Sequence, residues 1–435
     1  MGAPQSMTLN VPTSELADIT IRNLASDGSG VGELPDGRII FIPRSAPGDK
    51  TRVKVTALKR RWARGQLEEI LRPTEKRSNP LCSLYDKCGG CSLQHIPYSD
   101  QLKWKGRFVS EALSRIGGLE VDKVPVTASP HLSQYRNRVT FTLRRLRAGR
   151  VVAGFHGLHR PSHVIDVRGE CVLPEPEITS AWTSLRDHWG TGAKRLPSGG
   201  RLRLTLRNSK SGIDLLIEGG TSAWNPEALM KHVSSVSTVW HQPSDAGAIE
   251  LVYGRVHEDT WIGEQLLLVG DVFLQVNRAA AQLLQEHVIA LAGSPDSAVD
   301  AYCGVGYYGR QLANSGTTVV GIDVNEAALT SSCEKRSDNY RTVQGAVEEH
   351  LSHFLPVDLL ILNPPRSGLE RTIPLQILDA PPKTIIYISC DPATLARDLN
   401  RLGSAYALIE HQAFDLFPQT AHIETVVVLR RSENQ

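Results

Sequence analysis

No run of about 18 apolar residues occurs in the 435-residue sequence, so no transmembrane helix is expected. The N-terminus lacks a basic stretch followed by an apolar one, and no signal peptide is expected either. The opening "MGAPQS" fits the loose myristoylation pattern, but nothing nearby supports a membrane anchor, and no membrane partner is expected. Internal repeats and low-complexity tracts are absent, which argues against a solenoid or a linker-like chain. A strong charge of either sign is also missing, since the formal net charge is +2. Cysteines are few and odd in number, seven in all, with three of them within ten residues. That is not the even framework of a secreted disulfide protein, and a cytoplasmic, reducing location is expected.

What is present describes a multidomain globular chain. Apolar residues make up 41% and charged residues 22%, and the length allows two to four domains, each with its own core. The basic residues cluster. Ten Lys/Arg stand against three Glu between Lys50 and Arg77, and six Arg with no acid lie between Arg136 and Arg150. Such local excess suits a polyanionic partner, although a solvated basic face would look the same.

Within 1–75, "DITIRNL", "DGRIIFIP", "GDKTRVKVTAL" and "RWARGQLEEIL" read as short strands separated by Gly, Asp-Gly and Pro-Gly turns. About five strands at that spacing predict a small OB-like β-barrel. Residues 76–268 predict an α+β central domain with a cysteine cluster at 78–98, a helix at 99–116 and strands from 135 onward. From 269 to 435 apolar strands alternate with helical segments, the pattern of an α/β parallel sheet with right-handed crossovers.

Four motifs in this last region carry chemistry. In "DAYCGVGYYG" a strand runs into Gly304 and Gly306, and Asp323 follows nineteen residues after Gly304. Glycines let a ligand approach the backbone and the acid can hold ribose hydroxyls. Read literally, the motif is GxGxxG and suggests an NAD-dependent oxidoreductase; a methyltransferase uses a similar turn for S-adenosylmethionine. Asn363-Pro364-Pro365-Arg366 ends the strand "DLLIL", where methyltransferases place a planar target. In "TIIYISCDPATLARDL", Cys390 ends a strand just ahead of a helix capped by Asp391 and Pro392. The positive end of that helix is expected to lower the thiol pKa and favour the nucleophilic thiolate. Glu424, beside His422, opens an apolar strand and could act as a general base.

Together, "FLQVN", "DAYCGVG", "NPPRSG", "SCDPATLARDL" and "HIETVV" resemble the RNA uracil-5 methyltransferases, and the opening barrel resembles a TRAM domain, an RNA-binding module. The resemblance covers nearly the whole chain. It implies a Rossmann-like class I methyltransferase domain, S-adenosylmethionine as methyl donor and RNA as partner, with a monomeric protein expected. A uridine of 23S rRNA is the favoured target, with a tRNA uridine as the alternative and a non-catalytic RNA-binding protein as a third reading. Cys390 is implied as the nucleophile that adds to uracil C6, and Glu424 as the base that removes the C5 proton. Gln275, Tyr302, Gly304, Gly306, Asp323 and Asn363 are implied around the donor or the base. The family usually has Asp where Asn363 stands, and Ala346 and Tyr307 also depart from its pattern.

Cys82, Cys88 and Cys91 form C-x5-C-x2-C, and Cys171 lies downstream. Four thiolates can hold a [4Fe–4S] cluster or a structural zinc ion. Ribosomal members of the family carry such a cluster, so the resemblance favours iron–sulfur. Cys303 and Cys333 are expected to be core thiols.

Overall fold

The alternation of apolar and polar residues after residue 15 builds six strands, β1 (Leu16–Thr20), β2 (Asn23–Leu24), β3 (Gly30–Glu33), β4 (Ile39–Ile42), β5 (Lys50–Leu58) and β6 (Trp62–Arg72). They form one sheet in the order β1-β5-β6-β4-β3-β2, curled around Ile19, Ile40, Ile42, Val53 and Ala63. The computed structural model describes residues 16–244, 247–267, 269–270, 272–331 and 337–432. "MGAPQS" and Cys333 lie outside the described residues.

The barrel belongs to a unit that runs to Phe108 and includes His156–His163 and Pro418–Ala421. Arg44, in the loop after β4, lies 3.6 Å over the Tyr85 ring and donates to the carbonyls of Tyr85, Cys88 and Cys91. Arg77 donates to the buried Asp49 carboxylate and to the Arg44 carbonyl. The cysteine loop and the barrel are therefore tied by charge-assisted bonds, which are about twice as strong as neutral ones. The following helix, α1 (Tyr98–Arg115), covers nearly the whole predicted helix. Its buried Gln101 exchanges two 3.1 Å hydrogen bonds with Gln419, and the Ser92 and Leu93 amides donate to the Gln419 carbonyl.

The second unit holds the rest of the described chain and contains two sheets and a hairpin. Strand β7 (Val126–Thr127) joins the C-terminal sheet. The central sheet has the order β10-β9-β8-β11-β12-β13-β14, from β8 (Arg138–Arg145), β9 (Val151–His156), β10 (Val164–Asp166), β11 (Arg201–Ser209), β12 (Gly212–Glu218), β13 (Val236–Gln242) and β14 (Glu250–Tyr253). Helix α2 (Pro176–His188) packs Trp182 flat on Phe141 with ring centroids 3.8 Å apart. A short α3 (Glu227–Met230) and the hairpin β15 (Glu258–Trp261) and β16 (Glu264–Leu267) complete this part.

The C-terminal part begins with α4 (Arg278–Ala292), capped by Asn277 as its sequence predicts. It continues through β17 (Ser297–Ala301), α5 (Tyr307–Asn314), β18 (Thr318–Asp323), α6 (Glu326–Leu329), β19 (Tyr340–Gln344), α7 (Val347–His350) and β20 (Leu359–Leu362). Then come α8 (Thr372–Asp379), β21 (Thr384–Ser389), α9 (Pro392–Leu402), β22 (Tyr406–Phe414) and β23 (Glu424–Arg431). The sheet order is β19-β18-β17-β20-β21-β23-β22-β7, and β23 alone runs antiparallel to its neighbours. Strands β20 and β21 are buried along their length, as the central strands of a sheet covered on both faces must be. One face packs on Leu395, Leu399 and Leu402 of α9 and on Val109 and Leu113 of α1; the other packs on Leu284 and Val288 of α4. Among the described residues no helix is long and apolar enough to cross a membrane.

Asp398 holds this half together. Its carboxylate is fully buried and accepts from the Leu369 amide at 2.8 Å, the Tyr387 hydroxyl at 2.9 Å and the Arg401 guanidinium at 3.0 Å. It thereby joins α9, β21 and the loop after β20. Removing one member of a buried, hydrogen-bonded ionic group costs on the order of 3–5 kcal/mol. Asp398→Ala is expected to destabilise the protein by about that much in urea titration, and Tyr387→Phe by only about 1 kcal/mol; equal, small losses would show that Asp398 is not the hub.

Candidate active site

The site is built where the parallel strands end. After β17 the backbone takes positive φ at Tyr302 (62°), Gly304 (55°) and Gly306 (78°). A Cβ at Gly306 would lie 2.3 Å from the Tyr340 hydroxyl, so both conformation and space require glycine there. Tyr302 holds a left-handed backbone without that freedom, a local strain typical of functional turns. Asp323, at the end of β18, accepts from the Gly304 amide and the Asn325 amide, both at 2.8 Å. Its carboxylate is thus fixed against the glycine turn, with lone pairs left over for hydroxyls.

A cavity of about 770 Å³ opens at these strand ends. Gln275, Tyr302, Gly304, Asp323, Asn363, Cys390 and Glu424 all line it. Gly306 does not; it caps α5 and shapes the turn. Gln275 is presented by a segment pinned at both ends. Asn137 donates to the Gln275 carbonyl at 3.2 Å, and Asn277 donates to the Ser129 hydroxyl and the Leu416 carbonyl. Asn363 follows β20 and donates its amide to the Ala301 carbonyl at 3.3 Å.

The pairing of β21 with β23 sets Cys390 and Glu424 side by side. Ser389 pairs with Thr425 in an antiparallel register, so one step further along Cys390 comes opposite Glu424. Asp391 caps α9 through the amides of Ala393 and Thr394, as expected from the sequence. The expected lowering of the thiol pKa is not found. Burial and then the Glu424 charge push Cys390 up to about 11, and the Arg366 guanidinium only partly opposes them. Burial also pushes Glu424 up to about 8, again opposed by Arg366. The helix end is too weak a positive pole to outweigh loss of water and a facing carboxylate.

Arg366 is the group that the motif reading left without a role. It lies in the cavity wall and acts on both Cys390 and Glu424. Its place directly after Asn-Pro-Pro at a strand end was the available signal. Glu348 and Glu370 also line the cavity, although nothing in the sequence pattern singled them out. His422 lies in the same wall, edge-on to Phe417 with centroids 5.9 Å apart. Ala346 and Tyr307, the two positions that depart from the family pattern, are wall residues as well.

Beneath the turn lies fully buried Asp300. It accepts from the Gly309 amide at 2.9 Å, and burial raises its carboxyl to about 7. Cys303, in the turn above, is pushed well up by burial and then by Asp300; it is only partly buried and lines the cavity, so it is not the core thiol expected from the sequence.

Cys82, Cys88, Cys91 and Cys171 are each half-buried. The Gly90 amide donates to Cys88 Sγ at 3.3 Å, and burial raises the Cys88 thiol pKa. Among the described residues, no three His, Cys, Asp or Glu side chains are gathered closely enough to hold a metal ion.

Comparison with known proteins agrees with this geometry. The model of the tRNA (Uracil-5-)-methyltransferase family matches residues 330–432, and that of the TRAM domain matches residues 15–67. A protein of Thermosynechococcus vestitus described as an uncharacterized RNA methyltransferase is 33% identical, over 95% of this chain and 98% of its own. One of Gloeobacter violaceus with the same description is 31% identical, over 98% and 97%. Among solved structures, the Pyrococcus abyssi tRNA (uracil-54, C5)-methyltransferase in complex with S-adenosyl-L-homocysteine superposes with a TM-score of 0.72. It is 25% identical and is matched over 95% of this chain and 99% of that one. With a cysteine facing a buried glutamate at the strand ends and relatives matched from end to end, the chain belongs to the TRAM-containing RNA methyltransferases of the uracil-5 family.

Proposed function

We propose that this protein methylates C5 of a uridine in RNA with S-adenosylmethionine as methyl donor, through a covalent bond from Cys390 to uracil C6. The observation that carries this is the placement of Cys390 opposite Glu424 in a cavity that also holds Asp323 and the glycine turn. C5 of uracil is a weak nucleophile. Addition of the Cys390 thiolate to C6 moves electrons onto C5 and O4, and C5 then takes the methyl group as the donor's carbon–sulfur bond breaks. Glu424 removes the C5 proton, the C5–C6 double bond re-forms and Cys390 leaves as thiolate. Arg366 stabilises both anions in a wall where burial disfavours them. Asn363 accepts from uracil N3–H through its amide oxygen. Asp323 holds the donor's ribose hydroxyls, and Gln275 and Tyr302 border the donor and the base. A base paired in a helix must leave its stack to enter such a cavity.

A uridine of 23S rRNA is the favoured substrate, because the cysteine set resembles that of ribosomal members of the family. The tRNA reading is supported by the Pyrococcus abyssi structure, whose name gives tRNA uracil-54 as its target. Mapping 5-methyluridine in rRNA and tRNA from a strain lacking the gene decides between them. We propose three functional divisions: the barrel for RNA, the central region with the cysteines, and the methyltransferase sheet. Cys82, Cys88, Cys91 and Cys171 are proposed as ligands of one [4Fe–4S] cluster of structural role. The soft, half-buried cysteine side chains and the Gly90 amide on Cys88 Sγ support it. Protein purified without oxygen is expected to be brown and to contain about four irons per chain; stoichiometric zinc without iron overturns the assignment.

The order of steps has its own test. Glu424→Gln is expected to allow addition and methyl transfer but to stall elimination. It should accumulate a methylated protein–RNA adduct stable in denaturing gels, and Cys390→Ala should form none. Near-normal turnover of Glu424→Gln without an adduct would make His422 the base.

The pKa directions add a pH dependence. Glu424 works as carboxylate and its folded pKa is raised, so single-turnover elimination should rise with pH through about 8. Alkylation of Cys390 by iodoacetamide should have its midpoint near pH 11, lower in Glu424→Gln and higher in Arg366→Gln. Unmoved midpoints in both variants would remove Arg366 and Glu424 from the thiol's surroundings.

A further inference from the structure

The barrel shows an outer face that its own core does not explain. Along β4, Ile40 and Ile42 point inward and are completely buried, so Ile39 and Phe41 point outward. Along β6, Ala63 is buried and Trp62 and Arg64 point outward. The two strands pair in parallel, with Ile39 beside Trp62 and Phe41 beside Arg64. The result is a small apolar platform on a solvent face. Trp62 is 37% exposed and Ile39 39% exposed. Phe41 meets Trp62 edge to face with centroids 6.3 Å apart, and the Arg64 guanidinium lies 5.9 Å from the Trp62 ring.

Cations adjoin this platform in the chain. Lys59, Arg60 and Arg61, in the turn that joins β5 to β6, are exposed. The acids nearest the face are already engaged: Glu33 pairs with Arg22 at 2.7 Å, and Asp36 pairs with Arg38. Elsewhere in the basic stretch, Arg52 pairs with Asp18 at 2.9 Å and Arg77 with Asp49 at 2.6 Å. Lys50, Lys54, Arg72 and Lys76 are exposed elsewhere in the stretch, whereas Lys59, Arg60 and Arg61 lie in the turn that leads directly into Trp62.

We infer that the outer face of β4 and β6 binds an unpaired nucleotide of the substrate RNA. Its base stacks on Trp62, and Lys59, Arg60 and Arg61 hold the flanking phosphates. A part-exposed aromatic with adjacent cations suits single-stranded nucleic acid, in which bases are available to stack. A duplex offers phosphates but no free base face, so it would engage the cations and not the tryptophan. The inference rests on the reading that the substrate is RNA, and it adds a second contact away from the target uridine.

The test uses the full-length protein with a single-stranded oligoribonucleotide and with the duplex it forms with its complement. Trp62→Ala is expected to weaken single-strand binding about 5- to 100-fold, with duplex binding unchanged. Trp62→Phe should retain most of the affinity. Arg60→Glu with Arg61→Glu should weaken both forms and flatten the salt dependence, by about 0.7 in log–log slope per lost single-strand phosphate contact. Unchanged single-strand affinity in Trp62→Ala overturns the inference, as does an equal loss for the duplex. So does loss of binding to polyglutamate in place of RNA, which would make the face a docking site for an acidic protein. Binding is read apart from methyl transfer: unaltered affinity in a Trp62→Ala protein that still methylates RNA sinks this inference alone. Absence of both methylation and adduct in the wild-type protein sinks the functional reading.

Discussion

Everything at the site depends on the direction of one strand. A purely parallel sheet would bring only strand C-termini to its upper edge, and each would lead into a loop. By running antiparallel between β21 and β22, β23 brings its first residue, Glu424, to the same edge at which β21 delivers its last residues. The register is held by the buried pairs Ile386–Val428, Tyr387–Val427 and Ile388–Val426. A slip of one residue would turn every one of these side chains to the opposite face and take Glu424 away from Cys390. The hydrophobic pattern of two strands thus sets Cys390 and Glu424 beside each other.

That arrangement has an electrostatic cost which Arg366 partly offsets. A thiol and a carboxyl placed side by side in a buried wall each make the other harder to ionise, and both rest toward their neutral forms. The exposed Arg366 stands on a loop secured from below, where Arg397 donates to the Ser367 carbonyl and Asp398 accepts from Leu369. The cation is therefore carried by a fixed loop and not by a free one. The same loop presents Asn363, so Asn363 and Arg366 share one support.

Much of this was legible in the sequence, and the reasons differ by residue. Asn277 and Asp391 were readable as caps because capping needs only local chain, and both caps form. The glycine turn and Asp323 were readable because a fixed spacing reflects one strand–helix–strand unit. Arg366 was visible as a letter but not as a role, since its influence depends on β21 and β23 lying next to it. The thiol pKa was misread because helix dipoles are local and readable, whereas burial is a property of the finished wall. In the barrel, the excess of cations was evident, but which ones are neutralised by Asp18, Asp36 and Asp49 depends on strand register. The tie from Arg44 to the cysteine loop was equally hidden, because an arginine after a strand has no pattern of its own.

The hydrogen bonds between Gln101 and Gln419 join residues 318 positions apart. During synthesis at ~5–20 residues per second, Gln101 emerges on the order of tens of seconds before its partner. The barrel core is complete by then, since all its residues precede Arg72. The loop at Ser92 and Leu93 and the start of α1 must wait, with water as partner for their amides, until almost the whole chain has left the ribosome. Residues 418–421 thereby complete the first unit.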